Sequence, residues 1–267
     1  MSKRKSSYYY QGAASAPADL TTERRYMLGP RMNFEAAEAY KLLRTNVMFS
    51  FSDDTEDGEK LGRIVGVTSS FHGEGKSVTS INMAYTMAET GQRILLVEGD
   101  MRKPTLAKRL NFNPSPGLSN LLIGLQNVNE AIQKLAVPVD GKQTVYLDTI
   151  VSGDIPPNPS ELLGSKRMQR LLEALRTRYD YIIIDLPPVT AVSDPLIVSR
   201  FCDGMAVVVR HNVADRSALA ETMRQLQMVD THVLGFIYNG SDGNGGGYYR
   251  RRGYYRKGYY SGYYGKR

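Results

Sequence analysis

Six short runs that are apolar throughout punctuate the chain, at residues 64–68, 94–97, 145–147, 181–184, 205–209 and 233–238, with helical patterns at 77–89 and 161–177 between them. A strand with no polar face must be covered on both sides, and helical crossovers do this while letting the strands run parallel. The expected fold is therefore α/β: a doubly wound, mostly parallel sheet flanked by helices. Such sheets collect ligands at the carboxyl ends of their strands. The loops after Val67, Val97, Ile184, Val209 and Tyr238 are thus the places to look for chemistry.

Charge divides the 267 residues further. Residues 1–31 hold six cations and two anions (+4), and residues 240–267 hold seven cations and one anion (+6). The whole chain carries +7, so the middle carries −3. A mildly acidic domain over residues 32–239, large enough for one core, is expected between a basic N-terminal segment and a basic C-terminal one, both disordered. One cysteine, Cys202, excludes a disulfide scaffold and reads as a small buried hydrophobe. No apolar run approaches the roughly 20 residues of a membrane span, and residues 1–31 lack a secretory core, so an intracellular protein is expected.

After the first run comes SSFHGEGKS, residues 69–77, followed by a helical pattern and the stop at Gly91. Glycines let backbone N–H groups approach a phosphate, Lys76 supplies a point charge, Ser77 offers a hydroxyl to Mg²⁺, and the helix N-terminus adds a favourable dipole. This is a P-loop whose first glycine is replaced by Ser70. Asp185 ends the run 181–184, where a nucleotide-binding sheet places the acid that holds metal-bound water. A third loop carries Glu98, Asp100 and Arg102. Acids near a metal and an arginine near a transferring phosphoryl group are what phosphoryl transfer requires, because the protein's work there is positioning and charge neutralisation.

The C-terminal segment places eight tyrosines in four pairs, Tyr248 and Tyr249, Tyr254 and Tyr255, Tyr259 and Tyr260, Tyr263 and Tyr264, with glycine and arginine between. With almost no aliphatic residues it cannot bury enough surface to fold, so these phenols are expected to be exposed and accessible to modification. Each phosphate adds about −1.5 to −2 charges, so three or four would cancel the segment's +6. A rival reading of the same composition is a segment that stacks on single-stranded nucleic acid.

These features together resemble the bacterial tyrosine kinases, relatives of the MinD and ParA ATPases. The resemblance rests on residues 38–46 (EAYKLLRTN), 73–77 (GEGKS), 98–104 (EGDMRKP), 117–122 (GLSNLL), 156–163 (PPNPSELL), 185–188 (DLPP) and the tyrosine-rich end. It implies that Gly73, Glu74, Gly75, Lys76, Ser77 and Val78 bind ATP, with Asn239 near the base, and that Ser77, Glu98 and Asp185 serve Mg²⁺. Asp100 is the implied base, acting with Lys76 and Arg102 in catalysis on tyrosines of the protein's own C-terminal cluster, in trans, and of partner proteins. Glu98 stands where the family has Asp, and His72 where many members have Pro. Phe71 replaces the signature lysine of MinD-type ATPases, which favours a kinase over the alternative, an ATPase switch without kinase activity.

On the helical pattern 34–48, Ala36, Tyr40, Leu43 and Val47 form an apolar stripe, with Glu38, Lys41 and Arg44 on a neighbouring face. The resemblance makes these charges a subunit interface in a homo-oligomeric ring, with an octamer among the possible sizes. It further implies a transmembrane activator that recruits the protein to the inner face of the membrane, a cognate tyrosine phosphatase, and protein substrates in capsule or exopolysaccharide synthesis. Nucleic acid is not an expected partner.

Overall fold

The computed structural model describes residues 32, 34–51, 61–139 and 143–240. The four tyrosine pairs and most of both basic segments lie outside them. The elements in chain order are α1 (Phe34–Phe49), β1 (Arg63–Ser69), α2 (Lys76–Ala88), β2 (Ile94–Glu98), α3 (Leu106–Leu110), α4 (Leu118–Ile123), α5 (Val128–Ala131), β3 (Ile132–Val139), β4 (Gln143–Ile150), α6 (Pro159–Leu163), α7 (Lys166–Arg176), β5 (Tyr181–Asp185), α8 (Asp194–Ser199), β6 (Gly204–Arg210), α9 (Arg216–Met228) and β7 (Val233–Asn239).

One seven-stranded sheet runs in the order β3-β4-β2-β5-β1-β6-β7. All neighbours are parallel except β3 and β4. Because successive side chains on a strand point to opposite faces, each central strand feeds two cores. Ile64, Leu95, Ile182 and Val207 pack on one face, and Val65, Leu96, Ile183 and Val208 on the other. The six apolar runs all form strands, and the fold class is as expected.

Three features differ from the sequence reading. The strand β3 has no uniform apolar run, since Gln133 and Lys134 interrupt it and Pro138 cannot donate to a ladder. It occurs where those residues are tolerated, on the sheet edge, paired antiparallel with β4. The helix expected over 161–177 breaks at Gly164. Ser165 caps a second helix by accepting from the Met168 N–H at 3.2 Å, and α7 then buries Met168, Leu172 and Leu175. The last apolar run is an edge strand, with Phe236 and Tyr238 exposed. Cys202 packs against the core, and burial pushes its thiol up to about 12.

Among the described residues, no helix is long and apolar enough to cross a membrane.

Candidate active site

The phosphate loop leaves β1 at the middle of the sheet, between β5 and β6. It turns on Gly73 (φ 82°) and Gly75 (φ 94°), which caps the N-terminus of α2. A Cβ on Gly73 would meet nothing within 4 Å, whereas one on Gly75 would lie 2.1 Å from the Asn239 side-chain nitrogen. The loop is therefore open on one side and backed by protein on the other, the shape of a cradle for an anion at a helix N-terminus.

Lys76 bridges the site. Its Nζ lies 3.2 Å from Asp100 Oδ2 and 3.5 Å from Ser77 Oγ. Burial works against the ammonium, but the charges of Asp185, Asp100 and Glu98 outweigh it and hold its pKa above the usual lysine value. Asp185 ends β5 beside β1 and is fully buried. Its Oδ1 accepts from Ser80 Oγ at 3.3 Å, while Oδ2 has no hydrogen-bond partner among the described residues. Burial raises the Asp185 pKa, against the opposing pull of Lys76. An orphaned carboxylate oxygen beside a lysine and a serine hydroxyl is a costly arrangement without a ligand, and it fits a magnesium-bound polyphosphate.

The remaining expected residues are placed as follows. Asp100 Oδ1 accepts from the Lys103 N–H at 3.0 Å, which folds its loop back toward Lys76. Arg102 is engaged elsewhere: Nε lies 2.7 Å from Asp194 Oδ2, and NH2 lies 3.1 Å from Oδ1 and 2.9 Å from Ser160 Oγ. Glu74 turns inward, accepting from the Phe71 N–H at 2.8 Å and the Arg210 N–H at 3.4 Å, so its backbone, not its side chain, faces the cradle. Val78 continues α2 behind Ser77. Asn239 sits behind the loop, donating to the Glu74 carbonyl at 2.9 Å.

Glu98 also departs from the expectation of a metal ligand. Its Oε1 accepts from the Thr105 and Leu106 N–H groups and Oε2 from the Ser152 N–H, so both oxygens bind backbone and tie the end of β2 to the start of α3 and to the loop after β4. Burial pushes its pKa up to about 7 in spite of these bonds. A carboxyl raised in the folded state stabilises below its unfolded value and loses that contribution as pH rises through the folded one. Between about pH 4.5 and 7 this amounts to about 3 kcal/mol. Glu98→Gln is expected to flatten that stretch of the stability curve, measured by chemical unfolding of the nucleotide-free protein at several pH values.

On α1, the expected interface charges bond within the chain. Lys41 pairs with Glu38 at 2.8 Å, and Arg44 donates to the Thr86 carbonyl on α2 at 2.8 Å.

Two supports escaped the sequence reading. Arg210 donates to the Gly73 carbonyl at 2.8 Å, and a cation closing the apolar run 205–209 was its only signal. Asp194, fully buried, also accepts from Ser160 Oγ at 2.6 Å, so it pins the Asp100–Arg102 loop to α6 and α8. Asp194→Asn is expected to cost about 1–3 kcal/mol, less than a fully buried pair because Arg102 is 39% exposed. Chemical unfolding of the variant beside the wild type checks this cost.

The chain is similar to several known proteins. A family model described as an AAA domain matches residues 62–199. Tyrosine-protein kinase YwqD of Bacillus subtilis (strain 168) is 33% identical over 204 residues, covering 76% of this chain and 81% of that protein. The putative tyrosine-protein kinase EpsB of Ralstonia nicotianae is 36% identical over 90% of this chain, which spans only 31% of EpsB. The kinase domain of the Escherichia coli tyrosine kinase ETK superposes with a TM-score of 0.67 at 30% identity, over 80% of each chain. The chain belongs to the bacterial tyrosine-protein kinases.

Proposed function

We propose that the chain transfers the γ-phosphoryl group of MgATP to tyrosine hydroxyls, first those of its own residues 248–264 in a neighbouring copy, and then those of partner proteins. The observation that carries this is the convergence of Lys76, Ser77, Asp100 and the orphaned Asp185 at the carboxyl edge of one sheet, in a chain whose relatives are named tyrosine kinases. Magnesium, when bound, would neutralise phosphate charge, with Ser77 and Asp185 as its holders. Backbone N–H groups of residues 73–78 would seat the phosphates, with Lys76 as their counter-charge. Asp100 would accept the proton of an incoming phenol. A phenol of pKa near 10 arrives protonated, so the carboxylate helps as its oxygen bonds to phosphorus and the bond to the departing ADP oxygen breaks. Arg102, held by Asp194, positions the Asp100 loop in this scheme.

The family setting supports a membrane-spanning activator that recruits the protein to the inner face of the membrane, a ring built through Glu38, Lys41 and Arg44, a phosphatase that resets the tyrosines, and a role in capsule or exopolysaccharide synthesis. In such a ring Arg44 would exchange the Thr86 carbonyl for a neighbour's acid. The test is to incubate the full chain with MgATP, alone and with a candidate activator's cytoplasmic segment. A variant with all eight C-terminal tyrosines changed to Phe runs in parallel. Phosphotyrosine in the wild type that is largely lost in the variant supports the reading; ATP hydrolysis without phosphotyrosine under both conditions selects an ATPase switch instead.

A further inference from the structure

At the amino edge of the sheet, away from the phosphate loop, β4 overhangs β2. Leu95 pairs with Asp148, so residues 143–146 extend past the first residue of β2, and β3 pairs with them on the outer side. Beside this ribbon lies a cleft of about 270 Å³ with Arg93, Lys134, Tyr146, Asp148, Arg178 and Tyr179 in its walls. Arg93 is taken up by Asp180 at 2.7 Å. Lys134 and Arg178, both exposed, form no ion pair among the described residues. Arg178 donates to the Asn129 side-chain oxygen at 3.2 Å, and the Lys134 ammonium stands 5.9 Å from the centroid of the Tyr146 ring, which is 56% exposed. Asp148 is turned to the buried Tyr179 hydroxyl, accepting from it at 2.7 Å, and the three cations outnumber Asp148 and Asp180 by one. An open aromatic face flanked by a lysine and an arginine without carboxylate partners suits a flat ring that carries a dianionic head.

We infer that this cleft is a phosphotyrosine-docking site, remote from the phosphoryl-transfer site, and that its occupant is the phosphorylated form of residues 254–264 of this chain. The inference rests on the kinase reading above, which supplies the phosphate. Charge and reach argue for that occupant. Unmodified, residues 240–267 carry +6 and are repelled by the cleft's two unpaired cations. Each phosphate adds about −1.5 to −2 charges, so four or more reverse that sign, and the cleft takes the segment only once it is modified. The segment leaves the carboxyl end of β7, five strand spacings or about 24 Å from β4, and the cleft lies a further strand length of about 17 Å away at the amino edge. Nine residues separate Asn239 from Tyr248, a maximum reach of about 30 Å, and fifteen separate it from Tyr254, about 50 Å. Against a surface route of about 40 Å, Tyr248 and Tyr249 fall short, whereas Tyr254 and every later tyrosine reach the cleft of their own chain.

The test uses the full chain with its eight C-terminal tyrosines changed to Phe, so that its own segment cannot occupy the cleft. It is titrated with a fluorescent synthetic peptide of residues 250–264, phosphorylated at Tyr254, Tyr255, Tyr259 and Tyr260 or left unmodified, and binding is followed by anisotropy. At about 0.1 M salt the phosphorylated peptide is expected to bind at least about tenfold more tightly, and phenyl phosphate is expected to displace it at lower concentration than inorganic phosphate does. Lys134→Gln and Arg178→Gln should each weaken the phosphorylated peptide about five- to tenfold, and Tyr146→Ala by a similar factor. Tyr146→Phe and Lys134→Arg, which keep the ring and the charge, should bind it as the parent does. Equal affinity for the two peptides, equal displacement by the two phosphates, or unchanged affinity in a Lys134→Gln, Arg178→Gln double variant overturns the proposal. Because the peptide is phosphorylated chemically, these readouts are independent of turnover, and a wild type that forms no phosphotyrosine from MgATP defeats the kinase reading instead.

Discussion

Lys76→Met is expected to abolish phosphotyrosine formation, with a rate loss of at least about a thousandfold, comparable to or larger than the removal of one charge-stabilising donor from a preorganised site. The expectation goes beyond the P-loop pattern, because the same ammonium already neutralises Asp100 at 3.2 Å and opposes the burial of Asp185. Methionine leaves a carboxyl with no exposure to water, a raised pKa and no neighbouring cation to hold it ionised. The nucleotide-free variant should therefore be less stable than the wild type at pH 8, with the deficit shrinking as the pH falls and Asp185 takes a proton. Melting curves across that range check the sign. Lys76→Arg separates charge from shape: it should keep most of the stability and lose the activity, since a planar fork cannot replace a compact ammonium in the cradle.

Gly75→Ala is expected to have the next largest effect. At φ 94° a non-glycine residue costs about 1–3 kcal/mol of backbone strain. The new Cβ would also lie 2.1 Å from the Asn239 amide nitrogen, and moving that amide forfeits its hydrogen bond to the Glu74 carbonyl, about 1 kcal/mol more. A combined cost of about 2–4 kcal/mol falls on the folding stability of the nucleotide-free protein, measured by chemical unfolding, and any shift of the loop that relieves it weakens binding of an ATP analogue as well. Two comparisons separate the components. Gly73→Ala carries similar strain but meets no atom, so it should be milder. Adding Asn239→Ala to Gly75→Ala should recover the clash but not the strain. Equal losses in Gly73→Ala and Gly75→Ala would show that Asn239 does not buttress the loop.

The parts of the site legible in the sequence are those whose chemistry is contiguous. Residues 73–77 and the start of α2 form one local structure, because glycine conformations, a lysine and a helix N-terminus act over a few bonds. Asp185 was legible for a similar reason: a carboxylate closing a fully apolar run has few uses other than a strand-end site. Glu98 looked the same by that rule, yet both its oxygens bind backbone N–H groups of α3 and the loop after β4. Whether a strand-end acid meets a metal or a loop depends on what the neighbouring strand brings beside it, and β4 beside β2 was not readable from periodicity.

The sequence alone determined that strands without polar faces must lie inside a parallel α/β sheet, and that a lysine-bearing glycine loop must open a helix at one of its strand ends. Both follow from local sterics and from the burial of apolar surface. Only the tertiary structure decided which side chains stand behind that loop. Asn239 reaches the Glu74 carbonyl across 165 residues, and Asp194 holds Arg102 across 92. Such partners are chosen by the order of strands in the sheet, and a hydrophobic pattern, which records only that a strand is buried, carries no information about its neighbours.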